Sequence, residues 1–155
     1  MRNSKNVKAF TLIELIVVIA IIGVLAAILV PSMIGYVSQS KYSTANSNAK
    51  LAFTNAATYC TNCEVAGYQV TSTQNQTSLD LRPSATGYSK NGADLSGALR
   101  YLMGGNTNAG FASVKIDATK GMPKETRWAK QTTDKYIGGY PQEASEEATL
   151  TFTIS

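Results

Sequence analysis

The chain has 155 residues, enough for one domain of ordinary size, and its average hydropathy is near neutral. That average hides two unlike parts, because residues 10–30 are almost all apolar whereas residues 38–155 are rich in Ser, Thr, Asn, Gln, Gly and Tyr. The lack of His removes the commonest general base and metal ligand, and no Gly-rich phosphate loop or Gly-x-Ser-x-Gly motif occurs. We therefore expect no enzyme, no cofactor and no metal site.

The positive charge is concentrated at the extreme N-terminus. Arg2, Lys5 and Lys8 lie there without an acidic residue among them, and without residues 1–9 the net charge falls from +4 to +1. The rest of the chain has no basic run of the kind that nucleic-acid binding needs, so no nucleic-acid partner is expected. Basic residues that flank a membrane segment stay cytoplasmic, which predicts that residues 31–155 lie outside the membrane.

An apolar run of 21 residues, Phe10 to Val30, follows the basic leader. As a helix it is roughly 31 Å long, close to the hydrocarbon thickness of a bilayer. Beyond Pro31, small and apolar residues recur at helical spacing as far as Tyr59, which predicts one helix over about residues 10–59 with an alanine-rich packing face. Gly23 and Pro31 interrupt this run, and they predict a kink or local melting between them.

Cys60 and Cys63 form a C-x-x-C motif at the predicted end of this helix. A redox-active motif needs a strand-to-helix setting, and a metal site needs further Cys or His ligands that the chain lacks. In an oxidising exterior a local disulfide is favoured, with two free thiols as the alternative.

The remaining residues predict a small antiparallel sheet and one short helix. Residues 61–91 have the composition of a loop, with a short strand at Tyr68–Thr71. Asp94 is a suitable N-cap for a helix over Leu95–Met103, which Gly104-Gly105 ends. Alternating patterns predict further strands, in an antiparallel meander that covers the alanine face of the long helix: Ala112–Ala118, Thr126–Thr132 and Ala148–Ile154.

Two further features have open interpretations. Trp128, Tyr136 and Tyr140 either form an aromatic surface that stacks on sugars or a host receptor, or they are buried against the sheet or a subunit interface. Asn75-Gln76-Thr77 matches the acceptor pattern for N-glycosylation, although so short a motif also occurs by chance.

The residues Lys8-Ala9-Phe10-Thr11-Leu12-Ile13-Glu14, followed by sixteen apolar residues and Pro31, closely resemble the N-terminal signature of type IV pilins and pseudopilins. The resemblance covers about residues 1–60. It implies a single α+β pilin fold, in which the long N-terminal helix packs on a small antiparallel sheet. It also implies a leader that is removed, a transmembrane and assembly helix, and an extracellular globular domain: residues 1–9, 10–30 and 31–155.

In that family a prepilin peptidase cuts before the Phe and methylates the new amino group. The resemblance thus implies cleavage between Ala9 and Phe10 and N-methylation of Phe10. The family usually has Gly before the cut; Ala9 is the smallest substitute that carries a side chain, so cleavage is expected. The resemblance further implies that Glu14 meets the Phe10 amine of a neighbouring subunit, and two charges that are each costly in an apolar core become acceptable once paired.

The implied function is structural. The chain resembles a type IV pilus subunit, whose precursor lies in the cytoplasmic membrane. The resemblance implies that the assembly machinery polymerises it, with copies of itself and other pilins, into an extracellular filament for adhesion or motility. Two alternatives are a pseudopilin of a type II secretion or competence (DNA-uptake) machine, and a membrane-tethered extracellular binding module that never polymerises. An ordinary signal peptide is disfavoured, because its apolar region spans only about 7–15 residues.

Overall fold

The structure, a computed structural model, describes residues 10–144 and 148–152. The chain divides into two compact units, one ending at Ser38 and the other beginning at Gln39. The described part of the first unit is helical from Leu12 onward. The second unit contains the other α-helix and the four strands that the structure describes.

Helix α1 comprises Leu12–Val65, so the predicted long helix is confirmed and continues past Tyr59. Its end is set by Gly67, whose φ of 84° lies in the left-handed region that glycine adopts freely. The Tyr68 amide donates to the Cys63 carbonyl and the Gly67 amide to the Glu64 carbonyl, each at 2.9 Å, which is a Schellman motif. Residues 23–31 are helical, so no local melting is present there; a bend at Gly23 and Pro31 stays a prediction.

The second unit contains a four-stranded antiparallel sheet in the order β1-β2-β3-β4. The strands are β1 Gln76–Asp80, β2 Phe111–Ile116, β3 Pro123–Ala129 and β4 Gly138–Tyr140. The α+β class and the antiparallel sheet are therefore confirmed. The predicted strands Ala112–Ala118 and Thr126–Thr132 correspond to β2 and β3, whereas β1 lies in a segment predicted as loop and β4 was not predicted. Helix α2 is Leu95–Met103 as predicted, and the Asp94 carboxylate accepts from the Gly97 amide at 3.1 Å as an N-cap.

Two predicted strands are wrong. Tyr68–Thr71 is not a strand, because the Gly67 cap precedes it and a 3₁₀ turn at Ser72–Gln74 follows it. The part of Ala148–Ile154 that the structure describes, residues 148–152, is also not a strand, and the remainder lies outside the described residues. Its backbone carbonyls at Thr149 and Thr151 accept hydrogen bonds from the Arg127 side chain instead of pairing with a strand.

The sheet packs on the alanine face of α1, as predicted. Ala45, Ala49, Ala52 and Ala56 are at most 1% exposed. The buried Thr126 hydroxyl donates to the Ala49 carbonyl at 2.8 Å. A Cβ added at Gly138 would overlap the backbone of Ala45, so β4 lies close against α1. The small side chains on both elements are what permit this approach.

Candidate processing and assembly site

Helix α1 begins at a reciprocal pair of side chains. Glu14 Oε2 accepts from the Thr11 backbone amide at 2.9 Å and from Thr11 Oγ1 at 2.6 Å. In return the Glu14 amide donates to Thr11 Oγ1 at 3.4 Å. Thr11 is the residue before the first helical residue, so Thr11 and Glu14 form a capping box.

This capping box supplies a local reason for the acid at the front of an apolar run. The first amides of a helix have no partner within the helix, and the positive end of the helix dipole favours a carboxylate. An N-cap is worth about 1 kcal/mol. The signal, Thr-x-x-Glu before an apolar run, is present in the sequence, but the predicted start at Phe10 places Thr11 inside the helix and so misses the cap.

The N-terminal part of α1 exposes its apolar side chains all round. The large apolar residues from Phe10 to Val37 have exposed fractions between 41% at Val37 and 82% at Phe10. Among the described residues, α1 is the helix long and apolar enough to cross a membrane, and the most apolar 18 residues are 0% buried within the protein. Such a surface is stable only against lipid or against other apolar chains.

The structure brings only part of the predicted site together. Phe10, Thr11 and Glu14 are neighbours at the start of α1. Ala9, on the other side of the predicted cleavage point, lies outside the described residues. Gly23 has nothing within 4 Å of an added Cβ, and Pro31 lies inside the helix.

The cysteines belong to the core of the second unit. Cys60 and Cys63 are free and buried on the last turns of α1, so the structure describes the thiol alternative, and the disulfide stays a prediction. Burial, followed by the neighbouring Cys63, raises the pKa of the Cys60 thiol to about 12, which keeps it neutral and unreactive. The adjacent Tyr59 hydroxyl accepts from the Asp94 amide at 2.7 Å and thereby joins α1 to the start of α2.

The aromatic residues do not form one exposed surface. Trp128 is 6% exposed and its Nε1 donates to the Ala109 carbonyl at 2.8 Å, so it is part of the core. Tyr136 meets Tyr42 with ring centroids 5.0 Å apart, and Tyr140 meets Phe53 at 4.9 Å.

Asn75, the first residue of the glycosylation pattern at residues 75–77, has a structural role. Asn75 Oδ1 accepts from the Ile116 amide at 2.7 Å, which connects the segment before β1 to the end of β2. The Asn75 side chain is partly buried. A glycan would be attached through Nδ2, the other end of this side-chain amide.

Residues 4–30 match the family described as the prokaryotic N-terminal methylation motif. The match includes the predicted cleavage point, the capping box and the exposed apolar helix up to Val30. This is the N-terminal methylation motif of prokaryotic pilins, so the predicted resemblance is confirmed for the N-terminal part of the chain.

A particular relative is the type IV major pilin protein PilA of Myxococcus xanthus (strain DK1622). It is 50% identical to this chain over 52 residues, which is 34% of this chain and 23% of the relative. The aligned stretch thus spans about a quarter of that protein's length. No solved structure matches the chain.

Proposed function

We propose that this chain is the precursor of a structural subunit of a type IV pilus, which is polymerised into an extracellular filament for adhesion or motility. The observation that carries the proposal is the continuity of the methylation motif, residues 4–30, with a helix whose large apolar side chains are exposed. Lipid covers this apolar surface before assembly, and the apolar helices of neighbouring subunits cover it in the filament.

Processing would occur between Ala9 and Phe10, by a prepilin peptidase that also methylates the new amine. The capping box is compatible with this cut, because the Thr11 amide that donates to Glu14 belongs to the Phe10–Thr11 peptide bond. Cleavage therefore leaves the start of the helix intact and places a cationic amine on the residue just before it.

Glu14 would then pair with the Phe10 amine of the neighbouring subunit. Both bonds from Thr11 end on the same carboxylate oxygen, Oε2. A carboxylate accepts through two oxygens, so Oε1 can receive the amine while the cap persists. In an apolar filament core an unpaired charge is strongly unfavourable, so the pairing would set the axial register of the helices.

The basic leader would hold the N-terminus in the cytoplasm, so that the second unit faces the exterior. The partners in this proposal are the cytoplasmic membrane, the peptidase, the assembly machinery, copies of this chain and other pilins. Lys8 and the other leader charges are removed with residues 1–9, which permits the processed helix to leave the bilayer.

The proposal is tested on surface filaments sheared from cells that express the chain with a tag on an exposed loop. We expect immunogold labelling along the filaments, and intact-protein mass spectrometry should give a chain that begins at Phe10 with one added methyl group. Cells without the peptidase are the control, and they should retain residues 1–9 and make no filaments. A tagged chain that is found only in the membrane fraction would support the tethered-module alternative instead.

A further inference from the structure

Two cavities flank the line along which α1 contacts the segment around β4. The first has a volume of about 360 Å³ and the second about 510 Å³. Tyr136 lines the first and Tyr42 lines the second, and the centroids of these two rings are 5.0 Å apart. All the lining residues belong to the second unit.

Lysines gather around these cavities, and most of them lie on tyrosine rings. The Lys41 and Lys135 ammonium groups lie 4.9 Å and 5.6 Å from the Tyr136 centroid. The Lys50 ammonium lies 5.8 Å from the Tyr140 centroid. We define the lysine–tyrosine strip as Lys41, Lys50, Lys130, Lys135, Tyr42, Tyr136 and Tyr140.

The strip is positively charged and its surroundings are rich in hydroxyl and amide groups. Within residues 10–144 and 148–152, the strip has four lysines and the cavity walls have two acids, Asp134 and Glu143. Asp134 Oδ1 already accepts from the Tyr136 amide at 3.1 Å. The polar wall residues are mostly uncharged: Gln39, Ser40, Ser43, Thr44, Asn46 and Ser47. Thr44 and Ser47 donate their hydroxyl hydrogens to helix carbonyls, which leaves their oxygens as acceptors.

We propose that the lysine–tyrosine strip binds an acidic polysaccharide, a chain of uronic-acid type. The ammonium groups would pair with the sugar carboxylates, and the hydroxyl and amide groups of α1 would bind the sugar hydroxyls. Cation–π contacts with the tyrosines hold the lysines in place, which lowers the entropy lost on binding.

The same features argue against a nucleic acid as the ligand. Single-stranded nucleic acids stack their bases on open aromatic faces, but the Tyr136 and Tyr140 rings are covered by lysines. Phosphate recognition favours the forked donors of arginine, and every arginine of residues 39–155 makes contacts outside the strip. These contacts join Arg82 to Asp80, Arg100 to the Asp80 carbonyl and Arg127 to Glu125.

The inference rests on the proposed function only in that a pilus subunit displays its second unit outside the cell. Binding is therefore measured on the processed full-length chain in detergent micelles, and filament formation is scored separately. A chain that binds polysaccharide but makes no filaments would overturn the proposed function and leave the strip intact.

The probes are polygalacturonate, neutral dextran and single-stranded oligo-dT. Each is titrated into the chain by calorimetry, at the same set of salt concentrations for all three. We expect binding of polygalacturonate that weakens with added salt, and no binding of dextran. Absence of polygalacturonate binding, or tighter binding of oligo-dT, would overturn the proposal.

A matched pair of double variants tests the location. Lys41→Gln with Lys130→Gln removes two charges from the strip, and Lys120→Gln with Lys124→Gln removes two exposed charges elsewhere. We expect the double variant in the strip to weaken polygalacturonate binding about tenfold, and the double variant elsewhere to weaken it less than twofold. Equal weakening by both pairs would mean unspecific charge attraction and would contradict the assignment. All substitutions are at exposed side chains, and circular dichroism checks the fold.

Discussion

At the scale of single residues, Glu14 combines two roles that substitutions can separate. Its carboxylate caps its own helix through Thr11, and in the proposed filament its charge meets the Phe10 amine of a neighbour. Glutamine can occupy the same place in a capping box but carries no charge. Thr11→Ala removes the cap and retains the charge.

We therefore expect Glu14→Gln and Glu14→Ala to be cleaved but to yield few filaments, whereas Thr11→Ala assembles at near-normal yield. Thr11→Ala should cost about 1 kcal/mol in helix stability, since it removes only the cap. The measurement is the amount of sheared filament per cell together with the mass of the membrane-bound chain. If Thr11→Ala lost filaments and Glu14→Gln kept them, the carboxylate would act through the helix cap alone.

The burial of Cys60 predicts that the stability of the second unit depends on alkaline pH. The raised pKa means that the folded chain keeps the thiol protonated while the unfolded chain ionises it near pH 9. Protons are then released on unfolding, so under reducing conditions stability should fall as the pH rises from about 9 toward 12. The Tyr59 hydroxyl, whose pKa burial also raises, acts in the same direction.

The free energy of unfolding in urea, measured from pH 7 upward, checks this prediction. Cys60→Ala should be less stable at neutral pH because it loses buried volume, but its stability should decline less steeply above pH 9. An identical pH slope in both chains would contradict the assignment. Non-reducing mass spectrometry first establishes the state of the pair: two free thiols would refute the predicted disulfide.

At the scale of elements, the contact between α1 and β4 depends on the absence of side chains. Gly138 lies so close to Ala45 that a methyl group would overlap the helix backbone. Ala49 and Ala52, which are 0% exposed, extend the same narrow interface. Backbone against backbone leaves no flexible atom that could move aside.

Gly138→Ala should therefore destabilise the second unit by about 1–3 kcal/mol, because overpacking here requires one element to shift. Gly87→Ala is the control, since nothing lies within 4 Å of its added Cβ. Thermal unfolding followed by circular dichroism should show a lower Tm for the first variant only. Equal melting temperatures would mean that β4 is not held against α1 in this way.

The C-terminal segment shows how a side chain can take the place of strand pairing. Arg127 projects from β3 and donates to the Thr149 and Thr151 carbonyls at 2.7 Å and 3.2 Å. Its guanidinium also lies 4.8 Å from the Phe152 ring centroid. Leu150, 3% exposed, packs with Ala129 and Ile137. In residues 148–152 the alternating pattern therefore buries Leu150, and it does not correspond to hydrogen-bonded pairing with a strand.

At the scale of the whole molecule, the elements with strong local signals were predictable. The long apolar run, the alanine spacing and the Asp94 cap each express a preference that nearby residues satisfy, and α1 and α2 follow from them. The capping box at Thr11 was equally local and could have been found. Strand β4, Gly138–Tyr140, had no such signal, because glycines carry no alternating pattern and this strand exists through its contact with α1.

The sequence by itself determined the N-terminal processing motif, the membrane-length helix and the antiparallel α+β class. These depend on the order of neighbouring residues and on periodicity, which a linear chain already contains. Only the tertiary structure decided that Trp128 is buried, that both cysteines lie in the core and that residues 148–152 are held by Arg127. Only it brought the lysines of α1 together with the tyrosines near β4. Such pairings join residues far apart in the chain, and their energies arise only once the packed elements exclude water and bring the groups into contact.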